Sequence, residues 1–90
     1  MTELDILKLF YDEMVLRGTT RDQVFLTLED EAAEVLANKI GKPVLLGQLQ
    51  RYADICIANE WLERTTADPN YKYLSMTDAG LQVYLASQYR

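Results

Sequence analysis

Side chains that commonly carry catalysis are sparse in this chain. It has no histidine and a single cysteine, which removes Ser–His and Cys–His nucleophile systems, histidine metal sites and an all-cysteine zinc site. The four glycines are too scattered to form a phosphate-cradling loop. Neighbouring carboxylates occur at Asp12 and Glu13 and again at residues 29–31, where surface charge and a helix start are sufficient explanations. We therefore expect no enzymatic activity, no cofactor and no metal.

The single cysteine, Cys56, lies in the apolar run ADICIAN. This context predicts a thiol packed as a small hydrophobic side chain, with a reactive thiol or an intersubunit disulfide as the alternative. One cysteine also fits a reducing compartment. No apolar run approaches the ~20 residues of a membrane span, and the charged N-terminus does not resemble a signal peptide. We expect a cytoplasmic protein with no membrane partner.

Charge is distributed unevenly along the 90 residues, which carry a net charge of −5. Residues 1–41 hold four basic and nine acidic side chains, whereas residues 42–90 hold five of each. With 49% hydrophobic residues the chain can build a core, and its length predicts one domain over residues 1–90. If this small acidic protein contacts a polyanion, the second half is the part expected to do so.

Helix start and stop signals divide the first half. A first helix is predicted over about residues 3–16, with Thr2 as N-cap and Gly18 near its end. A short strand follows at VFLTL, residues 24–28. A second helix, capped by Thr27 or Asp30, then ends at Gly41, because Gly favours the helix terminus and the proline after it forbids continuation.

The second half predicts a third helix over about residues 43–60 and a hairpin over about residues 61–76. The hairpin turn is expected at ADPN, where Pro69 fixes one φ angle. Thr77 then has the position of an N-cap for a last helix, and Asp78 suits its positive end. Gly80 in the first turn is a poor helix former and predicts close backbone packing there.

The first and last helices carry more apolar side chains than one buried face needs. The expected core stripe of the first helix is Leu4, Leu7, Tyr11, Met14 and Val15. Apolar side chains outside such a stripe suggest a second buried side, which in so small a protein points to a homodimer. The candidate dimer-interface residues are Ile6, Leu9, Phe10, Val83, Tyr84 and Tyr89.

Two stretches, IANEWLER at residues 57–64 and YLSMTDAG at residues 73–80, resemble winged-helix proteins, most closely small MarR- and PadR-type regulators. The first resembles the end of a recognition helix running into a wing strand. The second resembles the Leu-Thr-acid-x-Gly turn that starts the last helix, with Met76 in the leucine position. Glu60 stands where such families usually have glycine. The resemblance implies a fold that is mainly α with a small β-hairpin (α+β), a winged helix-turn-helix in the order helix, short strand, helix, turn, helix, hairpin wing, helix.

In winged-helix DNA binders the recognition helix enters the major groove and the wing contacts the backbone or the minor groove. The resemblance therefore implies double-stranded DNA as a partner and a role in transcription regulation. Glutamine and arginine side chains can make paired hydrogen bonds to purine edges, and cations can hold phosphates. The DNA-binding candidates are Lys42, Gln48, Gln50, Arg51, Arg64 and Lys72.

A second interpretation is a winged helix that serves protein–protein interaction or dimerisation without binding DNA. The acidic first half and the surplus apolar residues favour it, since DNA binders usually carry a basic face. A solvated helix face would also account for the polar candidates, and a cross-strand surface pair would account for Arg64 and Lys72.

Overall fold

The computed structural model describes residues 1–67 and 70–89, and within these ranges it contains four α-helices and one two-stranded antiparallel hairpin. The helices are α1 (Glu3–Arg17), α2 (Asp30–Ile40), α3 (Leu46–Ala58) and α4 (Asp78–Ser87). The strands are β1 (Leu62–Arg64) and β2 (Leu74–Met76), and a short 3-10 turn, Arg21–Gln23, follows α1. The predicted class, mainly α with a small hairpin, is confirmed.

Local signals place most helix ends correctly. Thr2 is the N-cap of α1, and its backbone N–H donates to the Asp5 carboxylate at 2.9 Å. Gly18 and Gly41 end α1 and α2 with φ of 63° and 71°, a left-handed conformation that costs glycine little. The third helix is shorter than predicted, because Leu45 is its extended N-cap residue and Asn59 already caps its end.

The strands are shorter than predicted because the backbone turns before β2. Tyr73 has a φ of 55°, which interrupts the extended run expected from residue 71 and delays β2 until Leu74. β2 pairs with β1 in the register Leu62↔Met76. The strand predicted at residues 24–28 is reduced to a single bridge between Leu26 and Leu74. The predicted turn at Asp68 and Pro69 lies outside the described residues.

The core of the chain surrounds α1. The side chains of α1 that are buried are Ile6, Leu7, Leu9 and Phe10, whereas Val15 of the predicted stripe is 61% exposed. α1 packs against α3 and α4 and also contacts β2 and the 3-10 turn, so its own chain covers several of its sides. The predicted second buried side exists, but elements of the same chain cover it.

The start of α4 is packed tightly against the residue before β1. Thr77 Oγ1 accepts a hydrogen bond from the Gly80 N–H at 3.0 Å, which confirms the predicted N-cap. A Cβ on Gly80 would lie 2.2 Å from the carbonyl oxygen of Trp61, so the predicted close packing at this glycine is confirmed. That carbonyl also accepts from the Thr77 N–H at 3.0 Å.

Asp12 joins the two N-terminal helices. Its carboxylate accepts hydrogen bonds from Lys39 of α2 at 2.7 Å and from Lys8, one turn earlier in α1, at 2.9 Å. Burial alone would raise the pKa of Asp12, but the hydrogen bonds and positive charges of Lys39 and Lys8 outweigh it and lower that pKa. In residues 1–67 and 70–89, no helix is long and apolar enough to cross a membrane.

Candidate nucleic-acid interface

One side of α3 is fixed in the core and the other faces solvent. Leu49, Ala53 and Cys56 recur at spacings of four and three residues and are completely buried. This burial leaves Gln48 and Arg51 exposed on the opposite side. Both side chains belong to the predicted site and can reach a partner that approaches α3 from solvent.

Gln50 does not share this exposed position. It is half-buried, and its Nε2 donates to the backbone carbonyl of Leu28 at 3.4 Å. Its amide therefore links α3 to the residues that precede α2. The prediction placed Gln50 on the solvent face of the third helix; the structure leaves it only partly exposed, and spacing along one helix could not show where the neighbouring segment passes.

The hairpin is tied to the exposed side of α3 through Tyr71. The Tyr71 hydroxyl donates to Asp54 Oδ2 at 3.0 Å, a hydrogen bond between residues 17 positions apart. The guanidinium of Arg64 lies 5.7 Å from the centre of the Tyr71 ring, and its Nη1 donates to the Asn70 carbonyl at 2.7 Å. These contacts bring a hairpin cation to the side of α3 that carries Arg51 and Asp54.

The pKa of Tyr71 is raised by burial and by its hydrogen bond to the Asp54 carboxylate. The phenol is therefore protonated at neutral pH and is the donor in this contact. No pattern in the sequence signals this pairing, since Tyr71 and Asp54 lie on different elements. Only the tertiary fold brings them together.

Acidic and basic side chains near the hairpin lie on different sides. Successive residues of a strand point to opposite faces, so Glu63 points away from the face that carries Arg64. Glu63 lines a shallow depression with Glu60 and Asp78 instead. Among residues 1–67 and 70–89, Asp54 is the carboxylate that hydrogen-bonds to Tyr71.

Two further DNA-binding candidates are exposed cations. Lys42 is exposed in the turn between α2 and α3, and Lys72 is exposed directly after Tyr71. Within the described ranges, the side chains of Lys42, Arg51 and Lys72 form no ion pair. We give the name α3–hairpin face to the exposed DNA-binding candidates of α3, the turn before it and the hairpin, which are Lys42, Gln48, Arg51, Arg64 and Lys72.

Cys56 takes no part in this face. Its thiol is completely buried, and burial together with the negative charge of Glu3 raises the pKa of Cys56 to about 12. The thiol is therefore neutral and shielded, as the prediction of a packed cysteine requires. Among residues 1–67 and 70–89, no three histidine, cysteine or acidic side chains converge as metal ligands would.

The structure separates the predicted dimer-interface residues into two groups. Ile6, Leu9, Phe10 and Tyr84 are buried in the chain's own core, with Tyr84 packed on Tyr11 at 4.8 Å between ring centres. These four side chains pack within the core of a single chain, so their burial gives no support to an interface, and their assignment stays a prediction. Val83 is half-buried and Tyr89 is 88% exposed. The homodimer itself stays a prediction.

Comparisons of the chain with protein-family models, with curated proteins and with solved structures give no match.

Proposed function

We propose that this protein is a winged-helix DNA-binding protein with a regulator-like role, in which α3 is the recognition helix and the hairpin is the wing. The observation that carries the proposal is the Tyr71–Asp54 hydrogen bond of 3.0 Å. It holds the hairpin beside the exposed side of α3, so that Arg64 and Arg51 can approach one ligand together. A helix and a neighbouring hairpin on one face match a duplex, whose major groove admits a helix.

The side chains of the α3–hairpin face divide into two roles. Gln48 and Arg51 project from the helix and have the paired hydrogen-bonding groups that suit purine edges in the major groove. Lys42, Arg64 and Lys72 flank the helix and would hold phosphates, which fixes the position of the helix without reading sequence.

The charge distribution sets the expected strength of binding. All of the acidic excess lies in residues 1–41, whereas residues 42–90 are balanced, and Glu60, Glu63 and Asp78 line a separate depression. Asp54 is at the face, but its carboxylate accepts a hydrogen bond from Tyr71. We therefore expect measurable binding at low salt that weakens steeply as salt rises.

The test is fluorescence anisotropy with a labelled random duplex across a salt series. The three cations assigned to phosphates, with Arg51 as a fourth if it also contacts one, would give a slope of log K against log salt of roughly −2.7 to −3.6 per chain. Replacing Arg51 with alanine is expected to weaken binding and to reduce the slope by about 0.9 if Arg51 contacts a phosphate. Arg17→Ala is the matched control, since it removes the same charge from the end of α1. Absence of binding at low salt, or an equal loss in both variants, would contradict the proposal.

An interaction module without DNA binding is the second candidate. Two exposed hydrophobic side chains favour it. Leu45, just before α3, is 73% exposed, and Tyr73, just before β2, is 56% exposed. Large apolar side chains left in water at an α3–hairpin surface are more typical of a protein partner than of DNA. The salt series separates the two candidates, because the interaction module predicts no binding to a random duplex at any salt concentration.

A further inference from the structure

The segment between α1 and α2 forms an unpaired sheet edge. Leu26 exchanges two backbone hydrogen bonds with Leu74, each of 2.9 Å, and Leu28 N–H donates to the Tyr71 carbonyl at 2.8 Å. In an antiparallel ladder, the residues on either side of a hydrogen-bonded pair point their backbone N–H and C=O groups away from the partner strand. The backbone groups of Phe25 and Thr27 accordingly have no backbone partner within the described residues. This side of the segment can accept another strand.

An apolar groove of about 280 Å³ lies against this edge. Its apolar lining consists of Leu9, Phe25, Leu26, Ala32 and Val35. Phe25 is 44% exposed and Val35 is 43% exposed, although both are large hydrophobic side chains. An uncovered apolar groove beside free backbone groups has the two parts that recognition by strand addition uses, namely main-chain pairing and a pocket for alternate side chains.

The charge around the groove selects the kind of partner. Glu13, Glu31 and Lys39 line it. Glu13 is paired with Arg17 at 2.9 Å, and Lys39 is held by the Asp12 carboxylate at 2.7 Å. Glu31 is exposed and forms no ion pair in the part of the chain that the structure describes. The groove also belongs to residues 1–41, where acidic side chains outnumber basic ones by nine to four. A basic occupant is complementary to this surface.

We propose that the edge and groove bind an extended segment of another protein in which apolar residues alternate with lysine or arginine. The segment adds as a strand beside residues 25–27, places apolar side chains against Phe25 and Val35, and presents its cations to Glu31. This surface is separate from the α3–hairpin face, and the proposal does not depend on DNA binding. A helix is not the expected occupant, because a docked helix would leave the N–H and C=O groups of Phe25 and Thr27 unpaired. A second copy of this chain is not the expected occupant either, because it would bring the same acidic surplus to the contact.

The test uses a fluorescent eight-residue peptide that alternates lysine with valine and isoleucine, titrated into the full chain. Its matched control carries glutamate at every lysine position. We expect saturable binding of the lysine peptide and at least about tenfold weaker binding of the glutamate peptide. In heteronuclear NMR spectra the Phe25 and Thr27 amides should shift and become protected from exchange. N-methylation of alternate peptide amides on the pairing edge should abolish binding.

Two variants assign the binding to the groove. Glu31→Lys is expected to weaken the lysine peptide by about tenfold. Glu34→Lys makes the same charge change on an exposed residue of α2 that does not line the groove, so it should have a much smaller effect. Circular dichroism confirms that both variants fold. The proposal is overturned if the lysine peptide shows no binding up to about 1 mM, if both variants weaken it equally, or if the bound peptide is helical. Self-association of the chain that protects the Phe25 and Thr27 amides without peptide would also overturn it.

Discussion

Replacing Gly80 with alanine tests the packing at the start of α4. The added Cβ would lie 2.2 Å from the Trp61 carbonyl oxygen and 3.0 Å from its carbonyl carbon. These are backbone atoms, and the oxygen is also held by the hydrogen bond from Thr77 N–H at 3.0 Å. The neighbour therefore cannot rotate away as a flexible side chain would, and α4 must shift by roughly 1 Å to restore an ordinary contact.

Three contributions set the expected change in the free energy of unfolding. Overpacking against a rigid neighbour costs about 1–3 kcal/mol. A shift of α4 also weakens the cap between Thr77 Oγ1 and Gly80 N–H, whose loss costs about 1 kcal/mol. The higher helix propensity of alanine returns about 1 kcal/mol. We expect a net destabilisation of about 2 kcal/mol, which for a chain of this size lowers Tm by roughly 8–16 °C.

The assay is urea unfolding followed by far-UV circular dichroism, with Gly47→Ala as the matched control. Gly47 lies in α3 without a positive φ, and no neighbouring atom lies within 4 Å of the position that an added Cβ would take. Alanine there should therefore raise stability by up to about 1 kcal/mol. Opposite signs for the two Gly→Ala substitutions would support the close contact at Gly80. If Gly80→Ala is as stable as the unmodified chain, the reasoning about this contact is refuted.

Two further positions test local features of the chain. Glu60 has a φ of 61°, so Glu60→Gly should raise the free energy of unfolding by about 0.5–1 kcal/mol in urea denaturation. The control Glu63→Gly, in β1, should lower the free energy of unfolding. A lower free energy of unfolding for Glu60→Gly would contradict the reasoning about its backbone. Asp12 has a lowered pKa in the folded chain, so its contribution is present above its ordinary pKa of 3.8 and is lost as pH falls below that value. Asp12→Asn should therefore cost up to about 1 kcal/mol near pH 7 and much less near pH 3. An equal loss at both pH values would show that the pairs with Lys8 and Lys39 do not cause the effect.

Glu60 departs from the winged-helix sequence pattern and also has an unusual backbone conformation. The resemblance to winged-helix proteins places a glycine at this position, and the structure gives Glu60 the left-handed backbone that glycine accepts at least cost. The conformation lets the chain leave α3 and enter β1 within four residues. The sequence did not predict this conformation, because a glutamate carries no local signal for a positive φ.

Much of the candidate site lay beyond prediction from sequence. Gln48 and Arg51 are exposed as expected, whereas Gln50 turns to the Leu28 carbonyl. The hydrogen bond between Tyr71 and Asp54 joins residues with no relationship in helical or strand spacing. Such contacts depend on how whole elements pack, and the spacing of residues within one element carries no information about them.

The sequence by itself determined the element class and most helix ends, because caps and terminal glycines act through backbone groups within three or four residues. Thr2, Gly18, Gly41 and Thr77 mark helix ends for this reason. Only the tertiary structure decided which sides of α1 are buried, since that depends on α3 and α4, which lie far along the chain. It also decided that, within the described residues, the backbone groups of Phe25 and Thr27 have no backbone partner, because pairing depends on every neighbour a residue acquires in the folded chain.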